Sequence, residues 1–137
     1  MTPDALFALA NPVAMAGWIA LLVFPRQRLV TWWLAGVGIP LLLSAGYAVA
    51  LGIGLPGATG GFGSLADVAA LFASPWVLLA GWLHYLAFDL FIGAWITRRA
   101  MAEGLPRWTL FAALPPTFLA GPLGLLVFFG LRRVLGR

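Results

Sequence analysis

Residues 75–97 form a long run of mostly apolar side chains that also holds the only histidine of the chain, His84, and one of its four acidic residues, Asp89. A helix that crosses the hydrocarbon core of a bilayer needs about 20 apolar residues. The run has this length, and Ser74 and Pro75 before it are typical of a helix start. It therefore predicts a central transmembrane helix that carries two ionisable side chains.

On a helical wheel, four leucines share one face of this helix, and that face carries no polar residue: Leu79, Leu83, Leu86 and Leu90. His84 and Asp89 flank the opposite face, about 140° apart. We expect the leucines to face lipid and both ionisable groups to point into the protein, each with a partner on another helix. Ionisable residues at membrane depth usually mark a site or a pathway. The alternative is a neutral His84 and an Asp89 that only ties two helices together.

The composition supports an integral membrane protein and excludes several kinds of site. Hydrophobic residues make up 63% of the 137 residues and charged residues only 9%. Without cysteine, the chain has no disulfide, thiolate metal site, iron–sulfur cluster or c-type haem attachment. One histidine also excludes bis-histidine haem ligation within one chain. We predict no metal, no cofactor other than a bound apolar ligand or lipid, no nucleic-acid partner and no cleaved signal peptide.

The pattern of apolar runs predicts the fold class as all-α, a polytopic membrane protein with a single domain over residues 1–137. Four transmembrane helices are predicted at about residues 3–24, 29–51, 75–97 and 108–131. Prolines inside the first, second and fourth spans predict kinks. A helix at about 64–73 is too short to span, so we expect it at the interface or re-entrant. The glycine-rich segment before it is expected to be mobile, as a lid over a pocket or as an ordinary interfacial turn.

The arginines indicate an orientation. If the chain crosses the membrane four times, five arginines lie on one side of the membrane and the three of the C-terminal tail lie on the other. The five are Arg26, Arg28, Arg98, Arg99 and Arg107. Because basic residues favour the cytoplasmic side, we expect these five in the cytoplasm of a bacterium, with the inner membrane as the location and both termini outside. If the last span is re-entrant instead, all eight arginines lie inside.

The stretch GFGSLADVAALFASPWVLLAGWLHYLAFDLFIGAW resembles the abscisic-acid-deficient-four-like family of membrane proteins, and HYLAFDLFIGAW is its specific part. Ala10-Asn11-Pro12 near the start and PPTFLAGPLGLL near the end also match the usual shape of that family. The plant member is linked to neoxanthin synthesis. The resemblance therefore implies a protein that binds or modifies a carotenoid within the bilayer, with an epoxide-to-allene isomerase as the type of activity.

The resemblance also suggests roles for the polar residues of the central span. Opening the epoxide needs an acid for its oxygen and a base for a vinylic proton. Asp89 and His84 are the predicted acid–base pair, and Tyr85 is predicted to orient Asp89. The polyene is expected to lie against aromatic side chains and near two polar ones, which gives the predicted substrate-binding residues: Asn11, Tyr47, Trp82, Phe88 and Phe91.

Two other functions remain open from the sequence. The small size and the lack of a redox or metal motif also suit a non-catalytic membrane subunit, either a pigment binder or an assembly partner of a pigment complex. The same His84 and Asp89 could instead serve a small proton or solute conduit, as a homo-oligomer, because four short spans rarely enclose a pore alone.

Overall fold

The computed structural model describes residues 2–136, and every regular element in this part of the chain is helical. Six α-helices follow one another: α1 (Pro3–Val23), α2 (Ile39–Gly54), α3 (Leu65–Phe72), α4 (Pro75–Ala102), α5 (Trp108–Leu119) and α6 (Gly121–Leu135). A π-helical segment, Leu29–Gly38, runs directly into α2, which ends in the 3₁₀ turn Leu55–Gly57. Arg137, one of the arginines counted above, lies outside the described residues.

Three of these helical stretches have the length and apolar composition to cross a membrane: Pro3–Val23, Leu29–Gly57 and Pro75–Ala102. They correspond to the first three predicted spans, although the third continues well past Thr97. The short helix α3 is present as predicted, and the Ser64 hydroxyl accepts a hydrogen bond of 3.1 Å from the Asp67 amide at its start. Such a side-chain cap satisfies a main-chain N–H that the first turn leaves free.

Helix α4 lies at the centre and contacts α1, the π-helical segment, α2, α3, α5 and α6. Its leucine face is buried: Leu79, Leu83, Leu86 and Leu90 are 4%, 1%, 3% and 0% exposed. The prediction that these leucines face lipid was wrong. A face without polar residues suits lipid and the interior of a helix bundle equally well, because both surroundings are apolar. Since α4 has neighbours on most sides, its most continuous apolar face packs against them.

The predicted fourth span at 108–131 is not one helix. Ala120 has the non-helical dihedral angles φ −158° and ψ 78°, and it separates α5 from α6. With about 1.5 Å of rise per residue, the 12 residues of α5 cover about 18 Å, less than the ~30 Å hydrocarbon core. The two helices pack side by side as a hairpin, so this part of the structure agrees with the re-entrant alternative.

Contacts at both ends of the hairpin show how it is placed on α4. At its tip, the Tyr85 hydroxyl donates a hydrogen bond to the Phe118 carbonyl oxygen, and Tyr85 lies near the middle of α4. At its open end, the Arg132 Nε atom lies 2.7 Å from Glu103 Oε2, just after the last residue of α4. The hairpin therefore lies along α4 from about Tyr85 to the C-terminal end of that helix.

The described ends of the chain lie at opposite ends of the bundle. Pro3 lines a cavity together with Pro75, the first residue of α4, whereas α6 ends beside the last turn of α4. The expectation that both termini lie on the same side of the membrane rests on one continuous helix over residues 108–131, and the break at Ala120 interrupts that helix. Which side of the membrane each terminus occupies stays a prediction.

Candidate functional site

A cavity of about 760 Å³ lies at the end of the bundle where α4 begins. It is bounded by α1, α2, α3, α4 and the glycine-rich segment, and its wall is mostly apolar and aromatic: Phe7, Tyr47, Phe62, Phe72, Trp82 and Tyr85. The ionisable side chains in that wall are those of His84, Asp4 and the two tyrosines. Its size falls in the range of about 300–1,000 Å³ that is usual for small-molecule sites.

His84 is exposed at the surface of this cavity. Its ring stacks on Phe88, with 4.7 Å between the ring centres and 24° between the planes, and the Tyr47 ring centre lies 5.9 Å away. The prediction that His84 points into the protein is corrected, because the imidazole is exposed in the wall of this aromatic-lined cavity. An imidazole in that position can meet a ligand.

Trp82 and Asn11 form a polar link beside the cavity. The Trp82 Nε1 atom donates a hydrogen bond of 2.9 Å to Asn11 Oδ1, and the Trp82 ring stacks on Tyr85 at 5.1 Å between ring centres. Asn11 is not among the residues that line the cavity. Its amide oxygen instead fixes the position of a tryptophan that does line it.

Asp89 lies away from this cavity, at the tip of the α5–α6 hairpin. Its carboxylate faces the main-chain amide of Gly121, the first residue of α6. An anionic group is favourable at a helix N-terminus, where the first N–H groups have no partner within the helix. Asp89 Oδ2 is buried and has no hydrogen-bond partner among the described residues. The Asp89 carboxyl group therefore contacts the N-terminus of α6.

Phe88 and Phe91 line a second, smaller cavity of about 330 Å³ with residues of the π-helical segment and α2, among them Gly36, Pro40 and Ser44. This cavity lies on the other side of His84, which Phe88 contacts by its ring. The predicted substrate-binding residues therefore do not lie in one cavity. Tyr47 and Trp82 line the large cavity, and Phe88 and Phe91 line the small one. Asn11 lines neither cavity.

The structure thus brings His84 and Tyr85 to the large cavity and leaves Asp89 outside it. That all three form one catalytic group stays a prediction. Sequence reasoning missed Asp4, Phe7 and Phe62 as cavity residues. They come from the first turn of α1 and from the irregular segment before α3, and no periodic pattern connects either place with α4.

The glycine-rich segment borders one side of the large cavity through Phe62, and Phe72 of α3 also lines it. Gly60 has φ +91°, and a Cβ atom there would lie 2.8 Å from the Leu71 amide nitrogen, so this position favours glycine. The Gly61 amide donates a hydrogen bond of 3.2 Å to the Asp67 carbonyl oxygen. These contacts hold the segment against α3. Within the described residues, no group of three or more histidine, cysteine or acidic side chains could hold a metal ion.

The long apolar helices and the cavity between them define the class of protein as a helical membrane protein with an aromatic-lined site. The chain belongs to the ABA DEFICIENT 4-like family, whose model matches residues 5–128, from the first turn of α1 into α6. This confirms the resemblance drawn from the sequence. Comparisons with curated proteins and with solved structures give no match.

Proposed function

We propose that this protein binds a carotenoid-type polyene with its end ring in the large cavity, and that it isomerises an epoxide on that ring to an allene. One observation carries the proposal: a cavity of about 760 Å³ has a wall that is mostly aromatic and a histidine exposed within it. Membership of the ABA DEFICIENT 4-like family supports the choice of ligand class.

The wall of the cavity suits the end of a long apolar molecule. Flat aromatic side chains offer large contact areas to a conjugated chain, and His84, Tyr47 and Asp4 can orient oxygen atoms on its ring. Because the cavity lies between helices that are long enough to span a bilayer, the remainder of the polyene can stay in lipid. The segment that carries Phe62 is proposed as the cover of the bound ring.

The chemistry balances without a redox partner. One C–O bond of the epoxide breaks, and its oxygen keeps the electron pair and gains a proton. The neighbouring vinylic carbon loses a proton, and the electron pair of that C–H bond forms a second C=C bond beside the existing one, which gives the allene, so protons and electrons balance. His84 is the proposed group that takes the vinylic proton, because its imidazole lies in the cavity wall and an imidazole nitrogen can accept a proton. Tyr85 is proposed to hold the wall of the large cavity in place, because its hydroxyl donates a hydrogen bond to the Phe118 carbonyl oxygen.

A non-catalytic pigment-binding role is the second candidate, and one observation favours it. Acid–base isomerisation requires both an acid and a base, yet Asp89 lies outside the large cavity and the Tyr85 hydroxyl is already bonded. In this case the cavity would only hold a pigment or present it to an assembly partner.

The His84→Gln variant separates the two functions. We expect it to retain carotenoid within about twofold of wild type, because the aromatic wall is unchanged, but to convert an epoxy-carotenoid roughly 10²- to 10⁴-fold more slowly. The measurement is chromatographic product analysis with purified protein in nanodiscs, and Phe111→Leu, on the exposed face of α5 and outside the cavities described, is the control. Equal conversion by wild type and His84→Gln would contradict the role of His84, and binding without conversion by wild type would favour the second candidate.

We also propose that the end of the bundle with the arginines faces the cytoplasm of a bacterial inner membrane. All seven arginines of residues 2–136 lie at this end: Arg26, Arg28, Arg98, Arg99, Arg107, Arg132 and Arg133. The opposite end carries Asp4 and Asp67 and would lie outside.

Single cysteines test this orientation directly, because the chain has none of its own. An impermeant thiol reagent added outside spheroplasts should label Gly61→Cys, where the added side chain meets open space, and should leave Arg133→Cys unlabelled until the membrane is opened. Labelling of both positions from outside would support a fourth complete span instead.

A further inference from the structure

A second polar feature lies at the arginine end of the bundle, far from the large cavity. It is a cavity of about 570 Å³ between the loop after α1, the π-helical segment and the last turns of α4. Four arginines line it, with no acidic residue among the lining side chains: Arg26, Arg28, Arg98 and Arg99.

The π-helical segment and a glycine fix Arg98 in this cavity. Its Nη1 atom donates a hydrogen bond of 2.5 Å to the Thr31 carbonyl oxygen, and its guanidinium carbon lies 4.4 Å from the centre of the Trp32 ring. A Cβ atom at Gly36 would lie 2.8 Å from the same Nη1 atom, so glycine leaves the room that this guanidinium occupies. A guanidinium carries five N–H donors, and the bond to Thr31 uses one of them.

The positive charge of the cavity is not balanced by the protein. Glu103 is the acidic residue at this end, and it is in contact with Arg99 at 2.5 Å and with Arg132 at 2.7 Å. Both arginines hold the pKa of Glu103 below its usual range, with the hydrogen bond from Arg132 as the largest cause. Within residues 2–136, Arg26, Arg28 and Arg98 have no ion-pair partner. Three guanidinium groups around one cavity therefore lack a counter-charge.

The position of the cavity indicates where such a counter-charge would come from. Trp32 and Leu29, beside the arginines, are 51% and 70% exposed. Tryptophan next to basic residues at the end of a transmembrane helix is typical of the headgroup level of a bilayer. Basic pockets between transmembrane helices at that level bind phosphate-bearing lipid headgroups, and arginine matches phosphate oxygens with paired N–H donors.

We propose that this cavity binds the headgroup phosphate of an anionic phospholipid, with its acyl chains along Trp32 and Leu29. Arg98 forms the fixed part of the site, and Arg26 and Arg28 close over the phosphate from the loop. This inference does not rest on the proposed carotenoid function, because it concerns other residues at the other end of the bundle.

Native mass spectrometry of the detergent-purified full chain tests the proposal, with phosphatidylglycerol and phosphatidylcholine as the two lipids titrated. Wild type should bind one phosphatidylglycerol at least tenfold more tightly than phosphatidylcholine. The double variant Arg26→Gln/Arg28→Gln should bind phosphatidylglycerol roughly 10- to 30-fold more weakly. Both residues are exposed and neither has a described ion-pair partner, so the variant should fold as wild type does.

Arg133→Gln is the control, because Arg133 is exposed at the same end but does not line the cavity. It should bind phosphatidylglycerol within twofold of wild type. The proposal would be overturned if Arg133→Gln and the double variant lost the same affinity for phosphatidylglycerol per charge removed. The lipid would then be held by unspecific electrostatic attraction. Displacement of the lipid by millimolar glycerol phosphate would overturn it too, since the site would then take a soluble phosphate ester.

Discussion

Gly124→Ala is expected to destabilise the protein by about 3 kcal/mol, or to prevent the α5–α6 hairpin from closing, although it adds only one methyl group. A Cβ atom at Gly124 would overlap the Thr117 hydroxyl and the main-chain nitrogen and Cα atoms of Thr117. Thr117 is fully buried and its hydroxyl donates a hydrogen bond of 2.7 Å to the Ala113 carbonyl oxygen. Because main chain meets main chain at this point, no side-chain rotation can make room.

Gly130→Ala is the matched control for this variant, since it makes the same change on the same helix. A Cβ atom at Gly130 meets no heavy atom within 4 Å. Alanine is also the better helix former by about 1 kcal/mol, so we expect this variant to be as stable as wild type or slightly more stable. Thermal unfolding in detergent, followed by circular dichroism, compares the two. Equal midpoints for Gly124→Ala and Gly130→Ala would contradict the close contact within the hairpin.

The second large effect is expected at Asp89. Asp89→Leu should cost about 2–3 kcal/mol of stability, because the Gly121 amide at the start of α6 then loses the carboxyl group that faces it, and the helix N-terminus loses an acidic side chain. Asp89→Asn keeps an oxygen acceptor of the same shape and should cost less than about 1 kcal/mol. Chemical or thermal unfolding in detergent measures both values.

The same two variants distinguish a docking contact from a catalytic one. If Asp89 mainly holds α6, folded Asp89→Asn protein should retain its ligand within about twofold, since Asp89 is not in the wall of the large cavity. An Asp89→Asn variant that is as stable as wild type but converts epoxy-carotenoid at least 100-fold more slowly would instead restore the acid role predicted from the sequence.

The elements of this fold that could be predicted from the sequence are those with local signals. The first three long helices follow from the length of their apolar runs, and the start of α3 follows from Ser64 and Asp67, which the structure confirms. The family assignment is of the same kind, because it rests on a continuous stretch of sequence. Each of these signals is complete within about 30 residues.

The features that were missed depend on what lies next to a helix in space. The buried leucine face of α4 and the open position of His84 are set by where α2 and α5 run, and a helical wheel does not show its neighbours. The hairpin depends on a break at Ala120 and on the fit of Gly124 against Thr117. In the sequence, PPTFLAGPLG indicates a broken helix, but a kinked span and a hairpin share this pattern.

The amino-acid sequence also contains no clear signal for the π-helical segment. It ends with a hydrogen bond from the Ile39 amide to the Leu34 carbonyl oxygen, directly before Pro40. In an α-helix the ring of Pro40 would conflict with the Gly36 carbonyl group, and a proline predicts a disturbance there without defining its form. The Thr31 carbonyl oxygen that accepts the hydrogen bond from Arg98 lies within this π-helical segment.

Carotenoid binding is tested most directly by the absorption spectrum and a solvent extract of wild-type protein, purified in mild detergent from a carotenoid-producing host. We expect about one carotenoid per chain, with a structured visible band that is shifted from that of the free pigment and that is lost when the large cavity is blocked. A colourless protein from a host with abundant carotenoid, which also takes up none when epoxy-carotenoid is added, would contradict it.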